Sequence, residues 1–185
     1  MNIALTRDNK LAAFWILSFV YGFSSLCYIA NFYSLEMLFS FPAIFFALVL
    51  FAPLFGSLWI SLSAIFCKGI GHLLGGEAKL ADLRMAVVRS KEPTLILLAL
   101  WTVFIACGPS TAFLHQASNG SAVTIIVTSL FVNLWSFGIL FKSLQTLQGF
   151  GVVRALFNVL IVYLLSFCFF TSVLFLMRYI YISTF

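Results

Sequence analysis

The chain has 185 residues, 63% of them hydrophobic and 8% charged, with ten Lys and Arg against five Asp and Glu and a mean hydropathy of +1.15. Soluble domains run at about 45–50% apolar and about 25% charged, so a water-soluble fold would have far too much apolar surface to hide. The net charge of +5 comes from basic residues set beside apolar runs, a pattern of membrane topology and anionic headgroups rather than of nucleic-acid binding.

Apolar runs of roughly 20 residues read as membrane-spanning helices, and nothing alternates over strand length as a β-barrel would. The expected fold is all-α, a polytopic transmembrane helical bundle. A single domain covers residues 1–185, with five spans near 11–32, 42–67, 93–107, 123–141 and 155–177. The first span follows Arg7 and Lys10. Its apolar run is too long for a signal-peptide core and no cleavage site follows, so an uncleaved span is expected. Trp15, Tyr21, Tyr28 and Tyr33 are candidate interface anchors.

A short connection containing Glu36 leads to the second span. Pro42 suits a first helical turn, whereas Pro53 removes a backbone donor inside the span and predicts a kink. Lys68 closes that span, and Gly69, Gly71, Gly75 and Gly76 follow. Gly71 and Gly75 form a G-x-x-x-G, which can let helices approach closely.

The segment 77–92 is the most polar in the chain. Leu80, Leu83 and Val87 recur at near-helical spacing among Lys79, Asp82, Arg84 and Arg89. This predicts a short amphipathic interfacial helix between spans two and three. A solvated connector helix packed on the bundle fits the same pattern. Pro93 opens the third span, which ends near Cys107 at Gly108-Pro109. The loop after it carries His115 and the triplet Asn119-Gly120-Ser121, an N-glycosylation acceptor pattern that matters only in a eukaryotic secretory pathway. Span four holds Asn133, a connector runs from Lys142 to Arg154, and span five holds Asn158 and ends before Arg178.

With five spans, nine of the ten basic residues fall on one side, and only Arg178 on the other. The positive-inside rule makes the nine-residue side cytoplasmic and the amino terminus with it.

No catalytic constellation emerges. His72 and His115 are expected on opposite faces, so no shared metal or dyad forms, and no catalytic, cofactor-binding or metal-binding residue is expected. Cys27, Cys67, Cys107 and Cys168 form no CxxC pair and read as small apolar packing residues. The acids Asp8, Glu36, Glu77, Asp82 and Glu92 all lie outside the span interiors, which argues against ion-coupled transport. The 23 phenylalanines read as lipid-facing or packing residues.

Asn133 and Asn158 are the polar side chains inside spans. They read as interhelical glue contributing on the order of 0.6–2 kcal/mol, with a site for a polar headgroup or substrate as the alternative. Lys68, Lys79, Arg84, Arg89 and Lys91 form a basic group that topology explains. Its alternative is contact with anionic lipid or an acidic partner.

At two joints the chain resembles the Yip family, membrane proteins named for interacting with Ypt/Rab GTPases, and in particular its small bacterial members. The first joint is His72-Leu-Leu-Gly75-Gly76, then the stretch 79–88, then Pro93. The second is Trp135, Ser143-Leu144, Gln148-Gly149 and Arg154-Ala155. The chain departs from the family at Ser143, where Gly is usual, at Gln148, where His is common, and at Gly151, where Ser is common. The resemblance covers roughly residues 43–170 and itself implies five spans with a cytoplasmic amino terminus. Trafficking members carry long amino-terminal regions implicated in partner binding. Here about ten residues precede the first span, so Rab-type GTPase binding is not expected.

The expected function is a non-enzymatic membrane scaffold or accessory subunit, in a bacterial inner membrane or alternatively an endomembrane. It would act through helix packing against other membrane proteins or itself, and through its basic cytoplasmic loop on the bilayer. The rival is a lipid-handling or small-solute permeation protein with a polar site near Asn133.

Overall fold

The computed structural model describes residues 7–108 and 119–184. Six α-helices and one short 3-10 turn at Leu35–Met37 account for nearly all of them, and no strand occurs among them. The helices are α1 (Arg7–Phe32), α2 (Phe41–Leu73), α3 (Leu80–Ser90), α4 (Thr94–Cys107), α5 (Asn119–Gln148) and α6 (Val152–Thr184). Four of them, α1, α2, α5 and α6, are long and apolar enough to cross a bilayer. A fifth crossing results if α3 and α4, bent by 44° at their break, count as one span. His115 and Pro109 lie outside the described residues, as do the side chains of Asp8, Asn119, Ser121 and Arg178.

Several helices run further than their apolar runs suggest. Helix α2 continues past Cys67 to Leu73 and stops where Gly75 takes φ +87°. There the Gly76 N–H donates to the Gly71 carbonyl at 2.8 Å and the Gly75 N–H to the His72 carbonyl at 3.1 Å. This is a Schellman closure, in which the left-handed residue lets the chain turn back onto orphan carbonyls. Helix α5 likewise runs to Gln148 through most of the expected connector, because nothing breaks it before Gly149 at φ +65°.

The G-x-x-x-G expectation is corrected. Gly75 caps a helix and faces open space, and Gly71 meets the Gln148 side chain rather than a second helix backbone. The close backbone approach lies elsewhere, between α1 and α2. A Cβ on Gly22 would strike the Ala52 carbonyl, and one on Gly56 would strike the Ser18 carbonyl. Ser18 and Gly22, like Ala52 and Gly56, are small residues four apart, the spacing that brings membrane helices into contact.

Helix α3 buries Leu83, Ala86, Val87, Val88 and Ser90 and packs on α2 and α5. Its apolar face is covered by protein, so the expectation of a helix spread on the membrane surface is replaced by one packed on the bundle. The interface anchors are also partly reassigned. Trp15 is exposed, but Tyr28 turns inward, its hydroxyl donating to the Ile125 carbonyl at 3.1 Å and its ring set edge-on to Trp101 at 5.4 Å. Cys27 and Cys67 are buried packing residues, whereas Cys107 and Cys168 are exposed and do not pack the core.

Two apolar clusters form the core. One gathers Leu17, Ile60, Leu83, Leu144 and Val159; the other gathers Phe23, Ile44, Leu48, Trp101 and Ile125. Large apolar side chains such as Phe46, Leu58, Leu130, Leu134 and Leu164 cover the outside, as in proteins that face lipid or pack against other proteins.

Candidate functional site

The polar residues of the long helices are arranged in stripes. Tyr21, Ser24, Ser25 and Tyr28 recur along α1 at intervals that keep them on one helical face, and Ser129, Asn133 and Ser136 do the same along α5. Trp59 and Ser63 on α2, and Tyr163 and Ser166 on α6, complete the set. The bundle turns these stripes toward one another. Together with Val87 and Ser90 of α3 and Thr94 and Leu97 of α4 they line a cavity of about 430 Å³. Its aromatic wall is Phe55, Trp59, Phe167 and Phe170, with Trp59 edge-on to Phe170 at 5.6 Å.

Lys91 lies in this cavity. Its expected place on the basic cytoplasmic loop is corrected. Lys68, Lys79, Arg84 and Arg89 are exposed, but Lys91 is only 8% exposed. The reason is the break between α3 and α4. Lys91 caps α3, its N–H reaching the Val88 carbonyl at 3.0 Å, and its own carbonyl accepts from the Thr94 N–H at 3.0 Å. This turn points the side chain between α1 and α6, where Nζ stands 4.6 Å from the centre of the Tyr21 ring and 5.8 Å from that of Tyr163.

Among the described residues, no Asp or Glu lines the cavity. Taking an ammonium out of water costs several kcal/mol even after relaxation, while a desolvated cation–π contact returns about 2 kcal/mol. The two tyrosine faces therefore offset only part of the cost. Two further polar groups are left over: the Ser24 hydroxyl and the Tyr163 hydroxyl are buried without a hydrogen-bond partner, and both residues line the same cavity.

Two of the residues that line the cavity are exposed on the bundle surface. Phe137 of α5 and Tyr163 of α6 touch edge to face at 5.5 Å. One turn further along each helix, Asn133 and Phe167 are exposed and both line the cavity. The Asn133 Nδ2 donates to the Ser129 carbonyl of its own helix at 2.8 Å.

Asn158 sits apart from that site. Fully buried, its Nδ2 donates to Gln148 Oε1 at 2.9 Å and to the Cys67 carbonyl at 3.4 Å, while Gln148 Nε2 reaches the same carbonyl at 3.3 Å. These bonds tie α2, α5 and α6 together. The two asparagines thus divide: Asn158 joins helices and Asn133 lines a cavity.

Only some of the joint residues lie beside the Asn158 cluster. Gly76 is buried against the Phe150 ring, Gly149 supplies the left-handed turn after α5, and Ala155 is buried beneath it. Pro93 is buried at the start of α4. Trp135 and Arg154 are exposed and take no part in the cluster.

Lys91 and the converging stripes escape a linear reading that counts charges by loop. The stripes in α1 and α5 were the available signal.

Comparison with known proteins returns no matching family model, no matching curated protein and no matching solved structure.

Proposed function

We propose that this chain is a non-enzymatic integral membrane protein that takes an amphiphilic molecule into its bundle from the side. The observation that carries this reading is the cavity, largely apolar with a few polar groups, whose lining includes the exposed Asn133 and Phe167 on two helices with apolar outer faces. A molecule entering there comes from the bilayer, leaves its apolar part along Phe55, Trp59 and Phe170, and brings its polar end among the serine hydroxyls. Cavities of about 300–1,000 Å³ with apolar walls and a few convergent polar groups are typical ligand sites.

In this reading α3 and α4 together make one broken span, giving five spans with the amino terminus in the cytoplasm of a bacterial inner membrane. Exposed Lys68, Lys79, Arg84 and Arg89 support that orientation, since each contributes about 1 kcal/mol near an anionic surface. Contact between Gly76 and Phe150 and between Gly71 and Gln148 supports treating the two joints as one unit, and with it the proposal of a small Yip-type protein.

The same four exposed cations favour a second reading, a scaffold that docks acidic partners through its α2–α3 end. Purification in a mild detergent, with mass spectrometry of co-migrating lipid and protein, separates the two. One lipid class enriched on the native chain and lost in Asn133→Leu is the expected result. A stoichiometric protein partner, lost when the four cations are neutralised, with no lipid enrichment, would overturn the first reading in favour of the second.

A further inference from the structure

Lys91 deepens the proposal of a lateral amphiphile site, and the ligand chemistry it implies rests on that reading. We infer that the polar end of the bound amphiphile is an oxyanion, a carboxylate or a phosphate, seated on Lys91. The Lys91 ammonium at the α3–α4 break lies in the cavity, and two hydroxyls buried without a partner, Ser24 on α1 and Tyr163 on α6, belong to residues that line it. All are donors, and an ammonium is a donor only. A cationic ligand would meet Lys91 with no carboxylate in the described lining to receive it. A neutral one would leave the buried charge as it stands, held only by the faces of Tyr21 and Tyr163. An oxyanion accepts from the ammonium directly, and from the two hydroxyls after a small shift of the lining, and charge-assisted bonds of this kind are the strong ones.

Backbone geometry adds to this. Non-helical backbone at membrane depth is tolerated where it lines a cavity, and broken helices in membrane proteins are places where polar ligands are held. The break at residues 91–93 is such a place, with Lys91 and Thr94 on its two sides both lining the cavity. The aromatic wall, and the exposure of Asn133 and Phe167 at its rim, favour an acyl chain behind the oxyanion.

The test uses the full chain in a non-ionic detergent and follows thermal unfolding with dodecanoate, dodecanol or inorganic phosphate added. Dodecanoate should raise the midpoint, dodecanol of equal chain length should raise it far less, and phosphate should have no effect. If phosphate acts as well as dodecanoate, the oxyanion site stands but its ligand comes from the aqueous phase. Lys91→Met should weaken dodecanoate binding about ten-fold or more, as loss of a charge-assisted contact requires, whereas Lys91→Arg should retain most of it. Should Lys91→Met fail to fold, Tyr163→Phe keeps the ring beside Lys91, removes the spare hydroxyl and should still weaken dodecanoate several-fold. Equal stabilisation by dodecanoate and dodecanol, unchanged in Lys91→Met or Tyr163→Phe, would overturn the oxyanion while leaving an amphiphile site. No response to any of the three would overturn both.

Discussion

Asn158 and Gln148, ten residues apart on consecutive helices, share a hydrogen bond of 2.9 Å and converge on one backbone carbonyl, that of Cys67. Helix α2 passes this point with its own carbonyl engaged by side chains from two other helices. Asn158→Leu should therefore lower the free energy of unfolding by about 1 kcal/mol, within the range for interhelical polar contacts in membranes. Gln148→Leu should cost a similar amount. In a double-mutant cycle the two should be non-additive, read from denaturant titrations in detergent. Additive losses would mean that the two amides act separately.

The crossing of α1 and α2 yields a sharper contrast. Gly22→Ala and Gly56→Ala each drive a methyl group into a facing backbone carbonyl, and a backbone cannot rotate aside as a side chain can. Each should destabilise the protein by more than about 2 kcal/mol. Gly138→Ala, inside α5 but facing open space, should not destabilise and should gain up to about 0.5–1 kcal/mol from helix propensity. Thermal unfolding of the three variants side by side checks this.

Gly75 and Gly149 are different again. Both have open space around the missing Cβ but a positive φ. Alanine at either position should cost about 1–2 kcal/mol through the backbone alone. Asparagine, which tolerates the left-handed region better, should cost less. Equal losses for the two substitutions would point to a steric rather than a conformational origin.

Topology is read by placing single cysteines in a chain freed of Cys27, Cys67, Cys107 and Cys168. Met37, 79% exposed in the loop after α1, and Lys79, exposed before α3, should lie on opposite membrane faces. Met37→Cys should react with an impermeant maleimide on intact spheroplasts, and Lys79→Cys only after permeabilisation. The reverse pattern would invert the orientation that the basic residues imply.

The helices were legible because apolar length is a strong signal, and Asn158 as glue because a lone amide in hydrocarbon has few other fates. Facing was harder. Lys91 stands in the run Arg89-Ser-Lys-Glu-Pro93, where every neighbour suggests an outward loop. Only the three-residue break, which rotates one helix against the next, decides that Arg89 faces out and Lys91 faces in. The α1–α2 crossing was legible in principle from Ser18, Gly22, Ala52 and Gly56, but the more conspicuous Gly71 and Gly75 drew the same motif to a helix end.

Helix α4 has 14 residues, about 21 Å at 1.5 Å per residue, against a hydrocarbon layer about 30 Å thick. Its partner α3 carries Asp82, Arg84 and Arg89 on its exposed side. Neither piece can settle in lipid alone, and Lys91 between them has no shelter until α1, α5 and α6 surround it. The ribosome completes this pair before α5 and α6, so the cavity that houses Lys91 is closed only once the last helix has been made. The middle of the chain thus depends on its end: without α6, Lys91 loses the Tyr163 face that helps to shelter it.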